Sequence, residues 1–281
     1  MGCTLHCRRK MSDKGMDKGT ERGERGIQPT HGSPDDVDDI IDWDSPIVCQ
    51  VAGVKGYNAF IHSPKFVKTS VRMFKNPLME CLSRTHWYVI LIIWIPISVV
   101  FFVSGAKDII DPLVCTFLFL FGMFSWTFFE YVLHRFLFHI DLEGIRRRVG
   151  GQSTSLGKSL TIIHFCMHGI HHKFPTDPLR LVFPPILTSI ILVIIYGGVR
   201  IFTTLPVEYV NVTVSGILFG YVIYDTMHYM LHHHRDFKIA YFRKMKRYHI
   251  HHHFRDTQNG FGITSKLWDS LFSTIPPPPC Q

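Results

Sequence analysis

The sequence predicts an all-α integral membrane protein: four transmembrane helices in two hairpins, with a cytosolic helical cap. Three observations predict it. Of 281 residues, 46% are hydrophobic, 14% aromatic and only 19% charged, which excludes a disordered or acidic solvating chain. Four long apolar stretches lie beyond residue 86, and the basic residues gather in every second connection between them.

Residues 1–39 are polar and rich in Gly, Lys, Arg and Asp, so the composition predicts a disordered segment. Its run Asp35-Asp36-Val37-Asp38-Asp39 reads as a solvated acidic stretch. Gly2 suits myristoylation, but His6 stands where Ser or Thr is wanted, so lipidation is not expected. No apolar run follows Arg8-Arg9-Lys10, so no cleavable signal peptide is expected. Residues 40–86 mix apolar and turn residues (Trp43, Pro46, Tyr57, Phe60, Pro64) and predict a pre-membrane cap of short elements.

Residues 87–281 carry the membrane part. Spans are expected at about 87–103, 113–131, 184–202 and 208–224. At ~1.5 Å per residue, ~20 residues cross a ~30 Å hydrocarbon core, and each stretch reaches that length with its flanks. All-round apolarity favours a membrane over the core of a soluble bundle. The short links 104–112 and 203–209 hold one basic residue, Lys107, whereas the 132–180 connection holds seven and the 225–281 tail eight. The positive-inside rule therefore places those long segments, and both termini, in the cytosol. The net charge of +8 is explained by these flanks, which removes nucleic acid as a partner. The sequon Asn211-Val212-Thr213 abuts a span and is expected to stay unused.

The seven Cys are scattered without a C-x-x-C pair, which argues against a disulfide framework or a thiolate metal site. Histidine is different. Of 18 His, 14 lie between His134 and His253. At ~100° per residue, positions i, i+3 and i+4 share a helix face. Thus His168/His171/His172, His228/His232 and His249/His252/His253 each present imidazoles together. His134 and His139 lie about 140° apart on a regular helix and converge only if the helix ends or bulges. All four groups sit at cytosolic ends of spans or in cytosolic segments. Ten imidazoles exceed one ion's coordination number and fit two, so the cap is expected to hold a His-rich dinuclear metal site. His251, His233 and His234 are expected to face away. His164 is expected in a supporting role, and Glu130 and Asp225, one turn before their His pairs, are candidates to accept an imidazole N–H. His6, His31, His62 and His86 receive no role.

Transition metals at the membrane face suit a substrate that lives in the bilayer. Iron would support dioxygen chemistry on an unactivated C–H bond; zinc, without redox chemistry, would not. Spacing alone leaves metal-assisted hydrolysis open.

Several motifs carry a family resemblance. They are His134-Arg135-Phe136-Leu137-Phe138-His139, His168-Gly169-Ile170-His171-His172-Lys173, Arg180-Leu181-Val182-Phe183-Pro184-Pro185, Tyr224-Asp225-Thr226-Met227-His228-Tyr229, His252-His253-Phe254, and the segment from Gly260-Phe261-Gly262 to Trp268-Asp269. Asp42-Trp43 with Pro46, and Ser83-Arg84-Thr85 before Trp87-Tyr88, extend them. This set resembles the membrane fatty acid hydroxylase superfamily, which includes sterol desaturases and methyl oxidases, and within it the branch acting at carbon 2 of acyl chains. The resemblance spans roughly residues 40–275. It implies four membrane helices, a cytosolic cap and an endoplasmic reticulum location. It also implies a non-haem dinuclear monooxygenase that hydroxylates long or very long acyl chains destined for ceramides. The ligands it carries over are His134, His139, His168, His171, His172, His228, His232, His249, His252 and His253. Iron is expected for turnover, while zinc can occupy the same ligands. Relatives often carry a fused cytochrome b5 domain with a His-Pro-Gly-Gly motif; the 281 residues contain none, so a separate cytochrome b5 and its reductase are the expected donors. The alternative within the class is a sterol C-4 methyl oxidase or desaturase. A zinc transporter or metal sensor is the alternative outside it, and transport needs ionisable residues at mid-membrane, where these stretches have no His, Asp or Glu.

Overall fold

A computed structural model describes residues 41–151 and 153–277. The segment 1–39 expected to be disordered, with Gly2 and the acidic run, lies outside the described residues. Those residues form helices and turns without a strand.

The cap opens with three short helices, α1 (Val48–Val51), α2 (Tyr57–Ile61) and α3 (Pro77–Leu82). Local chemistry starts α3: Asn76 Oδ1 accepts from the N–H groups of Leu78 (2.9 Å) and Met79 (3.1 Å), and Pro77 takes the first helical position, where a missing N–H costs nothing. Ile47, Val51, Tyr57 and Phe60 are fully buried and pack against Phe165, Ile170 and Phe174 from the segment after the second span. Polar clasps fix the same contact. Arg180 donates to Glu80 Oε1 (2.5 Å), Ser83 Oγ (2.6 Å) and the Val71 carbonyl (3.0 Å), and Asp177 accepts from Ser70 Oγ (2.9 Å) and Val71 N (3.0 Å). Buried and charge-assisted, these bonds are worth ~1.5–3 kcal/mol each. They tie the cap to the mouth of the third span.

Four helices are long and apolar enough to cross a membrane: α4 (Trp87–Ala106), α5 (Pro112–Val132, continued by a π segment Leu133–Phe138), then α9 (Pro185–Phe202) and α10 (Val207–His233). Between them lie α6 (Leu142–Arg148), α7 (Ser155–His164), a second π segment (Phe165–Gly169) and α8 (Ile170–Lys173). After α10 come α11 (Ala240–Phe254) and α12 (Leu267–Leu271). The helices that hold the second and fourth apolar lengths do not stop at 131 and 224. They run on to Phe138 and His233, 27 residues each, because hydropathy marks where the bilayer ends, not where backbone hydrogen bonding ends. The added turns carry the histidines.

Connectivity makes two hairpins, but packing makes α10 the centre. It lies along both α4 and α5, which make little contact with each other. Small residues decide this. A Cβ on Gly216 would sit 2.0 Å from the Phe119 carbonyl oxygen, and one on Gly122 would sit 2.2 Å from that of Thr213, so α5 and α10 meet backbone to backbone. Ser98 of α4 donates to the Ser215 carbonyl at 2.9 Å. By contrast α9 buries none of its residues. Tyr196 of α9 donates to Asn211 Oδ1 (2.8 Å), and Asn211 Nδ2 donates to Ser104 Oγ (3.1 Å), so the sequon's amide is engaged among three spans.

Candidate metal centre

Ten histidines, delivered by α5, α8 with its π segment, α10 and α11, converge in two groups. His134, His139, His168, His172 and His252 form the first; His171, His228, His232, His249 and His253 form the second. Within each group the ligand atoms all lie within 4.8 Å of one another. Nitrogens bound opposite each other at ~2.1 Å from one ion would be ~4.2 Å apart, so the spread is close to that of a shared centre.

Helix geometry explains the sorting. Neighbours in sequence point ~100° apart while i and i+4 differ by only ~40°. Hence His168 and His172 go to one group and adjacent His171 to the other; His249 and His253 go together and His252 apart. The spacing rule alone groups each cluster on one face, and the structure divides two of the clusters between the groups. The pair His134/His139 converges through the π segment: the His139 N–H donates to the His134 carbonyl at 3.1 Å, an i→i+5 bond, and their ring centroids lie 5.0 Å apart. The two groups share a wall, where the rings of His172 and His253 stack at 4.3 Å.

The donor set fits metal ions. A neutral imidazole offers one N–H and one lone pair. His249 Nε2 faces the Nε2 atoms of His228 (3.0 Å), His232 (2.7 Å) and His253 (3.0 Å) at once. A single ring nitrogen can complete only one such hydrogen bond, whereas a cation satisfies every lone pair. In the first group His134 Nδ1 donates to the Phe261 carbonyl (2.5 Å) and His252 Nδ1 to that of Asn259 (2.8 Å), which leaves the lone pair on Nε2. His134 Nε2 is buried without a protein partner. Burial, and then the neighbouring imidazoles, push His139, His168, His171, His172, His249 and His253 well below the usual imidazole range. Burial does the same at His252. These rings are therefore neutral at pH 7 and available as ligands. Imidazole-only sites suit iron, zinc, copper or nickel.

Glu130 and Asp225 do not accept from imidazoles. Glu130 accepts from Ile263 N (3.0 Å), Thr264 N (2.8 Å) and Thr264 Oγ1 (2.7 Å). Asp225 accepts from Phe183 N and Tyr221 Oη, both at 3.1 Å. Unpaired backbone N–H groups near each carboxylate claim it first, because leaving them buried and unbonded is costly. Glu130 thus holds the loop whose Phe261 carbonyl orients His134, and Asp225 holds the Arg180–Pro185 segment beside His228. His164 joins neither group. Its Nε2 donates to the Phe138 carbonyl (2.8 Å) and its Nδ1 accepts from Tyr57 Oη (2.7 Å), so it braces the π segment just before His139. Burial lowers its pKa to about 4. His251, His233 and His234 stay outside both groups, His233 stacking on Tyr229 at 4.3 Å.

Two participants are missed by spacing. His62, from α2's end, packs edge-on to His172 at 5.2 Å and parallel to His139 at 6.3 Å. A lone His has no periodic partner to betray it. Asp269, fully buried, accepts from Phe261 N (3.0 Å), Gly262 N (2.7 Å) and Thr274 Oγ1 (2.7 Å). Its place at the end of the Gly260–Asp269 motif marks the residue in the sequence but not its role.

Comparison with known proteins agrees with this geometry. The sequence model described as fatty acid hydroxylase matches residues 119–274. The fatty acid 2-hydroxylase of Rattus norvegicus is 35% identical over 277 residues, covering 92% of this chain and 70% of that protein. The dihydroceramide fatty acyl 2-hydroxylase FAH2 of Arabidopsis thaliana is 39% identical over 238 residues, covering 84% and 93%. Among solved structures, full-length scs7p, with only its hydroxylase domain visible, superimposes with a TM-score of 0.76 at 36% identity, over 89% of this chain and 91% of that one. With four membrane-capable helices and a paired imidazole centre at their ends, the chain belongs to the fatty acid hydroxylase family.

Proposed function

We propose that the protein is a fatty acid 2-hydroxylase that acts on long or very long acyl chains of ceramides or their precursors. The observation that carries this reading is the pair of all-imidazole groups placed just past the apolar lengths of α5 and α10. The relatives' names, fatty acid 2-hydroxylase and dihydroceramide fatty acyl 2-hydroxylase, support the substrate class.

Depth accounts for regioselectivity. Phe124, Phe128 and Phe129 are partly exposed on α5, where they would face lipid, and His134 follows within about a turn and a half. An acyl chain lying in the bilayer would bring its polar head, and the carbon next to it, to the level of the histidines. The ten histidines would hold two ions, the first group one and the second the other. Iron bound there would supply the oxidising power to break an unactivated C–H bond. Each turnover consumes dioxygen, two electrons and two protons and yields the hydroxylated chain and one water. The neutral ligands hold the ions without cancelling their charge, and Glu130 and Asp269, through the Phe261 carbonyl, keep His134 in one tautomer and one orientation. The electrons would come from a separate cytochrome b5 and its reductase. The basic 132–180 and 225–281 segments support a cytosolic site, and the membrane would be that of the endoplasmic reticulum. Residues 40–86 would form the cytosolic cap and 87–281 the hydroxylase domain.

Expression in cells that lack 2-hydroxylated sphingolipids tests this. Lipid mass spectrometry should show ceramide acyl chains heavier by one oxygen atom. Membranes that contain the metal-loaded protein, yet no hydroxylated acyl chain, would refute the reading.

A further inference from the structure

We propose that the polar cavity beside the first histidine group is the route by which metal ions enter and leave the centre, with His62 as a transient ligand on the way. This rests on the ten histidines holding metal, as argued above. The cavity has a volume of about 170 Å³. Its floor is made of three ligands of the first group, His139, His168 and His172. Its mouth carries Asn58, Asp141 and Gln258, all exposed. His62 stands between mouth and floor, half-buried and in contact with both His139 and His172.

The lining suits a cation. It includes no Lys or Arg, and Asp141 brings a carboxylate. Oxygen and imidazole donors at successive depths let an ion shed water in steps instead of at once, which lowers the barrier to reaching a buried site. The other imidazole on the wall, His164, is already bonded at both ring nitrogens, so the ligand exchange falls to His62. A second cavity, of about 360 Å³, lies outside α11 and is lined by Arg235, Arg243, Lys246 and Arg247 against the single carboxylate of Asp236, without any of the ten histidines. Its charge repels a cation. On this proposal an ion bound for the second group passes the first, across the shared wall of His172 and His253.

The test follows metal, not turnover. Purified metal-loaded protein is challenged with excess chelator and the released metal is timed; the stripped protein is then reloaded with the same metal. Release should come in two phases, the first group emptying before the second. His62→Ala, and Asn58→Phe at the mouth, should each slow both release and reloading relative to the parent. Metal content at equilibrium should stay at the parent level, and His62→Asp, which restores a ligand, should recover the rate. Unchanged or faster exchange in both variants overturns the proposal, as does a fall in equilibrium metal content in His62→Ala, which would make His62 an ordinary ligand or prop. Protein that exchanges metal as described but forms no hydroxylated lipid would refute the proposed function and leave this route standing.

Discussion

Asp269→Asn is the sharpest probe of how the fold builds the centre, because Asp269 touches no histidine of either group. Its carboxylate holds Phe261 N, Gly262 N and Thr274 Oγ1 at 2.7–3.0 Å, with no exposure to solvent. The loop it shapes needs glycine at two places: a Cβ at Gly262 would sit 2.0 Å from the Ser265 carbonyl oxygen, and Gly260 has φ 80°. Asparagine keeps one acceptor oxygen and turns an NH₂ toward an N–H that needs an acceptor. One charge-assisted bond is lost, at ~1.5–3 kcal/mol, and the remaining two fall to neutral strength, at ~1 kcal/mol each, for a total of about 4 kcal/mol. Part of this loss reaches the centre, since the Phe261 carbonyl holds His134 Nδ1 at 2.5 Å. Affinity for one ion should fall by ~10–100-fold, as for other outer partners of metal-bound histidines. The second group should retain its ion, because no His there contacts this loop by hydrogen bond. Competition against a graded series of chelators, with thermal unfolding in detergent alongside, measures both effects. A variant that loses stability yet holds both metals at parental affinity would show that the loop does not orient His134.

Other expectations are simpler. His171→Ala should abolish 2-hydroxy product and weaken one metal site while membrane insertion persists, read by product analysis and fractionation; continued hydroxylation would remove His171 from the ligand set. Gly216→Ala forces α10 off α5, given the 2.0 Å approach, and should destabilise the protein by ~1–3 kcal/mol. Gly197→Ala in α9, where nothing lies within 4 Å, should instead be stabilising by ~0.5–1 kcal/mol, and detergent unfolding compares the two. His164 is held neutral with a pKa of about 4, below the ~6.5 of an unfolded imidazole. Its contribution is fully present above ~6.5 and is lost as pH falls from there through about 4. Metal-free parent protein should therefore lose more stability across that window than His164→Gln, and equal losses in unfolding titrations would discount His164.

The spans and the histidine clusters are legible in sequence because their signals are local. A run such as Trp87–Val103 is apolar on every face whatever surrounds it, and an i, i+4 pair of histidines shares a face as soon as a helix forms. The Arg180–Pro185 and Gly260–Asp269 motifs are visible as well, but their work is not. In the fold they are clasps, one tying the cap to α9's entrance and the other setting the loop behind His134.

By itself, the sequence determined that four apolar helices cross a membrane, that a polar cap joins them, and that ten imidazoles stand where those helices end. Helical pitch turns adjacent imidazoles apart, but tertiary structure decided which group each one joins. Adjacent His171 and His172 serve opposite groups because His171 meets α10 and His172 meets the end of α5, while α11 supplies rings to both. It alone made α10 the central helix, through contacts at Gly122 and Gly216 that depend on both partners. It alone drew His62 to the site and turned Glu130 and Asp225 toward backbone N–H groups. Helical pitch and hydropathy act over a few residues, whereas these outcomes depend on which surfaces meet across tens of residues to more than a hundred.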